Sequence, residues 1–195
     1  RNILLILDEV MTGFGRTGKN FACEHWGIIP DMMLMSKGMI NAALPLSGVA
    51  LTEKVFQGML GPKAFYHLYT CGGHPVCCAV AMKNLEILIR ENVVANSARV
   101  GKYMIQRLKE LEEYPYIGEV RGLGLFAAFE IVENKESGVP DGNLAKKLVA
   151  NARERGLLVR VGHTAIQVAP PLIATKADID MIMDILKPVV AELKH

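Results

Sequence analysis

Apolar and polar positions fall along this chain in blocks of two kinds. Five apolar residues in a row, Ile3-Leu4-Leu5-Ile6-Leu7, stop at Asp8-Glu9. A second run, Met32-Met33-Leu34-Met35, stops at Ser36-Lys37. Short unbroken apolar runs bounded by polar residues predict strands covered on both faces, as in a parallel sheet. Between them, residues 11–21 form a turn region with Gly13, Gly15 and Gly18, where glycine permits positive φ and close backbone approach. Residues 46–51 predict a further strand, with Thr52 as candidate N-cap of a short helix. Residues 63–73 carry aromatics without a helical period. His74-Pro75 then opens a helix to about Arg90, since proline is tolerated at the first helical position. From about Val93 to Glu113 the period becomes helical throughout: Val100, Met104, Leu108 and Leu111 share one face.

Tyr114-Pro115 breaks this pattern. Residues 117–120 and 125–132 predict two short paired strands around a Gly122-Gly124 turn. A polar loop, 133–142, precedes a helix marked by Leu144, Leu148 and Ala152, which stops near Gly156. Strands at 157–161 and 166–169 end at Pro170-Pro171. Thr175 with Asp178 reads as a capping box. Ile179, Ile182, Leu186, Val189 and Leu193 complete a last amphipathic helix, with a kink expected at Pro188. The fold class predicted is α/β: a mostly parallel large-domain portion over residues 1–114, then a small α+β domain over 115–195.

Composition narrows the function. With 195 residues, 51% of them hydrophobic, the chain can bury a sizeable core. A formal charge of +2 without a basic stripe argues against nucleic acid as a partner. No apolar run approaches the ~20 residues of a membrane span, and Arg1 leads into the first run without a signal-peptide pattern. Cys23, Cys71, Cys77 and Cys78 contain no C-x-x-C pair, so neither zinc nor a redox motif is indicated. A reduced, cytoplasmic setting is expected. A domain that opens on a core strand without any lead reads as the later part of a longer protein.

The chemistry sits at the ends of the first two runs. A carboxylate at the C-terminal edge of a parallel strand lies where open α/β sheets bind ligands. Asp8 is such a carboxylate, expected to be buried, and Lys37 stands at a comparable edge 29 residues later. Together they suggest a cofactor held at both ends. Taken alone, each has a plainer reading: a lysine after a strand is usually a surface residue, and a strand-end aspartate is usually a turn cap. Glu9 points away from Asp8 on a strand and is assigned a structural role.

An ordered set of motifs changes those odds. Asp8-Glu9-Val10, Thr12-Gly13-Phe14-Gly15-Arg16-Thr17-Gly18, Pro30-Asp31, Ser36-Lys37-Gly38, Thr70-Cys71-Gly72-Gly73-His74-Pro75 and Val120-Arg121-Gly122-Leu123-Gly124 follow one another along the chain. In this order they resemble the class III (fold type I) aminotransferases, which use pyridoxal 5'-phosphate, and in particular omega-transaminases of the taurine–pyruvate type. The resemblance runs through essentially the whole chain and implies the C-terminal part of such an enzyme. It implies Lys37 as Schiff-base lysine and proton carrier, Asp8 as partner of the pyridinium nitrogen, and Val10 packing on the ring. Thr70 would reach the cofactor phosphate of a neighbouring subunit, making a homodimer with shared active sites. Arg160, ahead of Ala169-Pro170-Pro171-Leu172, would pair with a substrate carboxylate. The implied substrates are an omega-amino compound such as taurine or β-alanine and a keto acid, pyruvate first.

Arg16 and Arg121 are read as structural, and His163 as a turn residue. Two departures stand out. Many relatives have glycine and an aromatic residue where this chain has Ala42-Ala43. The family's phosphate-cradling loop and ring-stacking aromatic also have no counterpart in these residues, so poor cofactor binding and no activity are expected of the chain by itself. An aminomutase, racemase or decarboxylase of the same fold, or a catalytically silent interaction module, stay open as alternatives.

Overall fold

The computed structural model describes residues 3–60 and 65–193. Arg1 and Lys63, which figure in the expectations above, lie outside the described residues. The chain divides into two compact units, Arg1–Val94 and Ala95–His195.

In the first unit, β1 (Ile6–Asp8) pairs in parallel with β2 (Met32–Met35), Asp8 standing opposite Leu34. Strand β3 (Gly48–Leu51) joins the other side of β2 antiparallel. β2 matches its apolar run residue for residue, whereas β1 begins three positions after Ile3. The expectation that the first run is covered on both faces is corrected here: Ile3 is 75% exposed and Ile6 52%. β1 has one strand neighbour and no covering layer among the described residues. Helix α1 (Glu53–Gly58) follows Thr52, but no side-chain capping bond forms and the buried Thr52 hydroxyl oxygen has no partner among the described residues. Thr52 holds its place through its backbone instead, donating to the Asp31 carbonyl at 3.0 Å.

Helix α2 (Pro75–Arg90) starts as the His-Pro pair predicts, and His74 Nδ1 accepts from the Val76 amide at 3.3 Å. Adjacent Cys77 and Cys78 take different faces, one buried and one exposed. Cys77 and Ala81 pack on Ile40 in the unit's small apolar core. Spacing of four residues puts both on one face of the helix.

The second unit has a larger core. Helix α3 (Val93–Lys109) carries Val100, Met104 and Leu108 into it, and a 3-10 turn, Glu110–Glu113, adds Leu111. This burial is why the division into units falls at Val94, ahead of Tyr114-Pro115. Strands β4 (Ile117–Leu123), β5 (Phe126–Ile131), β6 (Arg160–Gly162) and β7 (Ala165–Val168) make an antiparallel sheet in the order β4-β5-β7-β6. Helices α4 (Gly142–Glu154) and α5 (Lys176–Ala191) supply Leu148, Ile179, Met183 and Leu186 to the same core as Phe129 and Ile166. Strict alternation along β5 buries every second residue, the mark of a sheet covered on one face. β4 runs past Gly122, so the expected turn narrows to Gly124, whose φ is +57°. A Cβ on Gly101 of α3 would collide with the Gly124 backbone, so glycine there permits the helix to lie against the turn. Thr175 and Asp178 form the expected capping box, and α5 continues through Pro188.

Candidate active site

The pairing of β1 with β2 sets the site. Asp8 is the last residue of β1, and the Glu9 amide donates to the Leu34 carbonyl at 3.0 Å, carrying the ladder one residue further. Three residues after Leu34, Lys37 follows the end of β2. Both side chains therefore belong to the carboxyl edge of one parallel pair, where an open sheet offers a crevice. The expectation of a buried Asp8 is corrected: it is exposed, because β1 itself is largely uncovered, and its Oδ1 accepts from the Val10 amide at 2.9 Å, tying down the first turn beyond the strand. Val10 sits in that turn, half-buried.

Glu9 goes the other way, as alternation along a strand requires. It is 2% exposed. Its carboxylate accepts from the Thr12 hydroxyl and from the amides of Ala22 at 3.0 Å and Cys23 at 2.8 Å. Burial pushes this carboxyl up, but the hydrogen bonds together outweigh burial and hold it below the usual glutamate range. Glu9 thus clasps the two ends of the glycine-rich turn region. The same charge, after burial itself, pushes the neighbouring Cys23 thiol up. Burial lowers the pKa of the half-buried Arg16 guanidinium in the turn.

Lys37 opens a 3-10 turn, Lys37–Met39, with φ of +35°. A side chain in the left-handed region costs about 1 kcal/mol or more and persists only where its surroundings dictate it. Three contacts from distant segments surround this turn. The Ser36 hydroxyl donates to the Leu46 carbonyl at 3.0 Å. A Cβ on Gly38 would stand 2.9 Å from the Phe14 Cβ, so the glycine-rich turn packs directly against the residue after Lys37. From α2, the Asn84 amide nitrogen donates to the carbonyls of Gly38 at 2.9 Å and Met39 at 3.1 Å. Lys37 itself is exposed and forms no ion pair among the described residues.

Other candidates lie elsewhere. Thr70 is exposed in the turn ahead of α2, and the cap of that helix is His74, so Thr70 has no capping role. Arg160 belongs to the second unit, exposed at the start of β6 opposite Gln167, with no ion pair among the described residues. His163 occupies the β6–β7 turn at φ +57°. Arg121 pairs with Glu130 at 3.0 Å across the sheet, a structural contact. Asn84 escaped the sequence reading. Its one signal there is a polar residue at i+7 from Cys77, on the face that buries Cys77 and Ala81.

The class III aminotransferase model matches residues 1–190, and the chain belongs to that family. A thermostable omega-transaminase from Thermomicrobium roseum superposes with a TM-score of 0.93 at 41% identity, over 99% of this chain and 44% of that one. A taurine–pyruvate aminotransferase of Bilophila wadsworthia is 38% identical over 93% of this chain and 43% of its own length. A putrescine–pyruvate aminotransferase of Pseudomonas aeruginosa is 35% identical over 95% of this chain and 41% of its own. The chain thus spans less than half the length of these relatives.

Proposed function

We propose that the protein transfers an amino group from a primary amine, of the omega-amino type, to a keto acid, with pyruvate as acceptor, in two half-reactions on pyridoxal 5'-phosphate. The observation that carries this is Asp8 and Lys37 at the carboxyl edge of adjacent parallel strands within a family match of this extent. The residues fit the cofactor: an exposed carboxylate for a ring nitrogen, an amine for an aldehyde, a hydroxyl for a phosphate. Bound there, the cofactor supplies an electron sink for the bond cleavage at the substrate carbon. Lys37 provides the amine that holds it and, once displaced, the base that carries a proton away from the substrate and returns it. Asp8 keeps the ring nitrogen protonated through a charge-assisted hydrogen bond, and Val10 packs on the ring.

Arg160 takes a substrate carboxylate, for which a planar guanidinium is suited. Thr70 serves the phosphate of a neighbouring subunit, which makes the working unit a homodimer with shared sites. The exposed aromatics Phe65, Tyr66 and Tyr69 beside it support burial against a second copy. Four free cysteines fit a reducing, cytoplasmic setting. No helix among the described residues is long and apolar enough to cross a membrane.

The test is the visible spectrum of the complete protein carrying this sequence, supplied with pyridoxal phosphate. A band that bleaches with taurine or β-alanine, recovers with pyruvate and is lost in Lys37→Ala is the expected result. Bleaching that no keto acid reverses would point instead to a decarboxylase or racemase, and no band at all would overturn the proposal.

A further inference from the structure

We infer that Asn84 is a positioning residue for Lys37: its side-chain amide pins the carbonyls of Gly38 and Met39 and so holds Lys37 in its left-handed conformation. This rests on the reading of Lys37 as the cofactor-bearing lysine. Asn84 lies 46 residues from Gly38 in sequence, on a helix rather than on the loop. Its two N–H groups are spent on two successive carbonyls of the 3-10 turn, at 2.9 and 3.1 Å. Primary amides have two donors on one nitrogen, so one side chain can serve both carbonyls. The bonds are partly buried, where losing a donor leaves the acceptor short of partners. Cys77 and Ala81, two turns and one turn before Asn84, press the same face of α2 onto Ile40, immediately after the turn. The helix therefore fixes the turn by apolar packing at Ile40 and by hydrogen bonding at Gly38 and Met39.

The backbone of Lys37 needs such a holder. Its φ of +35° is one an L-residue leaves when its neighbours permit. Gly38 is closed off by Phe14 on another side, so the turn cannot slide, but packing alone does not satisfy its carbonyls. Releasing Asn84 would let the turn rotate toward ordinary φ and move Nζ out of register with the β1 edge. A misplacement of this kind lowers turnover rather than substrate affinity.

Asn84→Asp tests this in the complete protein, because it keeps the side-chain shape and removes both donors. With the cofactor absent, amide exchange in residues 37–43 should rise about tenfold, the loss expected for one or two net hydrogen bonds. With the cofactor present, kcat should fall about tenfold or more while KM for the amine stays within about twofold. The pH midpoint of the visible band should also move. Asn84→Ala, which removes both donors without adding a charge, should show the same changes and serves if the aspartate variant does not fold. A lower melting temperature with unchanged exchange at 37–43, kcat and band midpoint would overturn the inference and leave Asn84 a helix residue. Retention of the band in Lys37→Ala would instead refute the reading of Lys37, whatever Asn84 does.

Discussion

The two units keep their order by different means. In the second, Phe129, Leu148, Ile166, Ile179, Met183 and Leu186 are fully buried between an antiparallel sheet and its helices. In the first, the core is small, β1 is half open, and the parts that matter are held by hydrogen bonds and close backbone packing: Glu9 on Ala22 and Cys23, Asn84 on Gly38 and Met39, Gly38 against Phe14. The difference teaches that apolar burial and the candidate site are carried by different units. Dispersed apolar burial makes the second unit robust. The first concentrates its polar groups at the end of β1 and β2 and leaves apolar surface uncovered.

The largest test of this contrast is truncation of one apolar side chain in each unit. Phe129→Ala removes a fully buried ring and should cost about 3–5 kcal/mol, read as lost exchange protection of β5 and α5 amides. Ile6→Ala in the 195-residue chain should cost under about 1 kcal/mol, because the side chain is 52% exposed. A cost of about 2–4 kcal/mol for Ile6→Ala in a protein of the relatives' length would show that β1 is covered there. Equal costs at both positions in the short chain would break the contrast.

Much of the second unit was legible because its signals are local. The capping box at Thr175 and Asp178 lies within one turn, and the β4–β5 pair is announced by two short apolar runs around Gly122 and Gly124. β2 and the start of α2 were legible for the same reason. The first unit was readable in its motifs and less so in its physics. An apolar run reports that a strand is apolar, not what covers it, so the exposure of β1 could not be read from Ile3 to Leu7. Thr52 carries the right residue type for a cap, but residue type does not fix where the hydroxyl points, and no side-chain capping bond forms. Asp8 and Lys37 stood out through strand ends and family motifs. The left-handed turn at Lys37 and its tie to Asn84 did not, since a contact across 46 residues leaves no periodicity to read.

A smaller effect separates hydrogen-bonded order from apolar order in the first unit. Glu9 has its carboxyl held below the ordinary glutamate value, so it binds fewer protons folded than unfolded as pH falls. Its contribution is complete above the unfolded-state value and is lost as pH falls through the lowered folded one. Glu9→Gln should therefore cost about 1.5–3 kcal/mol near neutral pH, the range for hydrogen bonds to a charged group. The deficit should shrink in acid, where the wild-type carboxylate is itself protonated. Unfolding at a series of pH values checks this. A deficit that stays constant down to strong acid would mean that size and packing matter at this position, and the charge does not.

The smallest effect bears most directly on the site. Replacing Lys37 by glycine or by alanine removes the amine in both cases, but only glycine relieves the left-handed backbone. In an ordinary helical turn glycine is the less stable of the two by about 1 kcal/mol. At φ +35° the order should reverse, with Lys37→Gly more stable than Lys37→Ala by about 0.5–1 kcal/mol after the larger chain entropy of glycine is subtracted. Thermal unfolding of the two cofactor-free variants reads the sign. Adding Asn84→Asp to each closes a cycle. If Asn84 restrains a strained turn, its loss should cost less in the Lys37→Gly background, where no strain remains to be held, than in the Lys37→Ala background. Equal costs in both backgrounds would mean that the hydrogen bonds and the left-handed backbone are independent, and that Asn84 does not hold the conformation of Lys37.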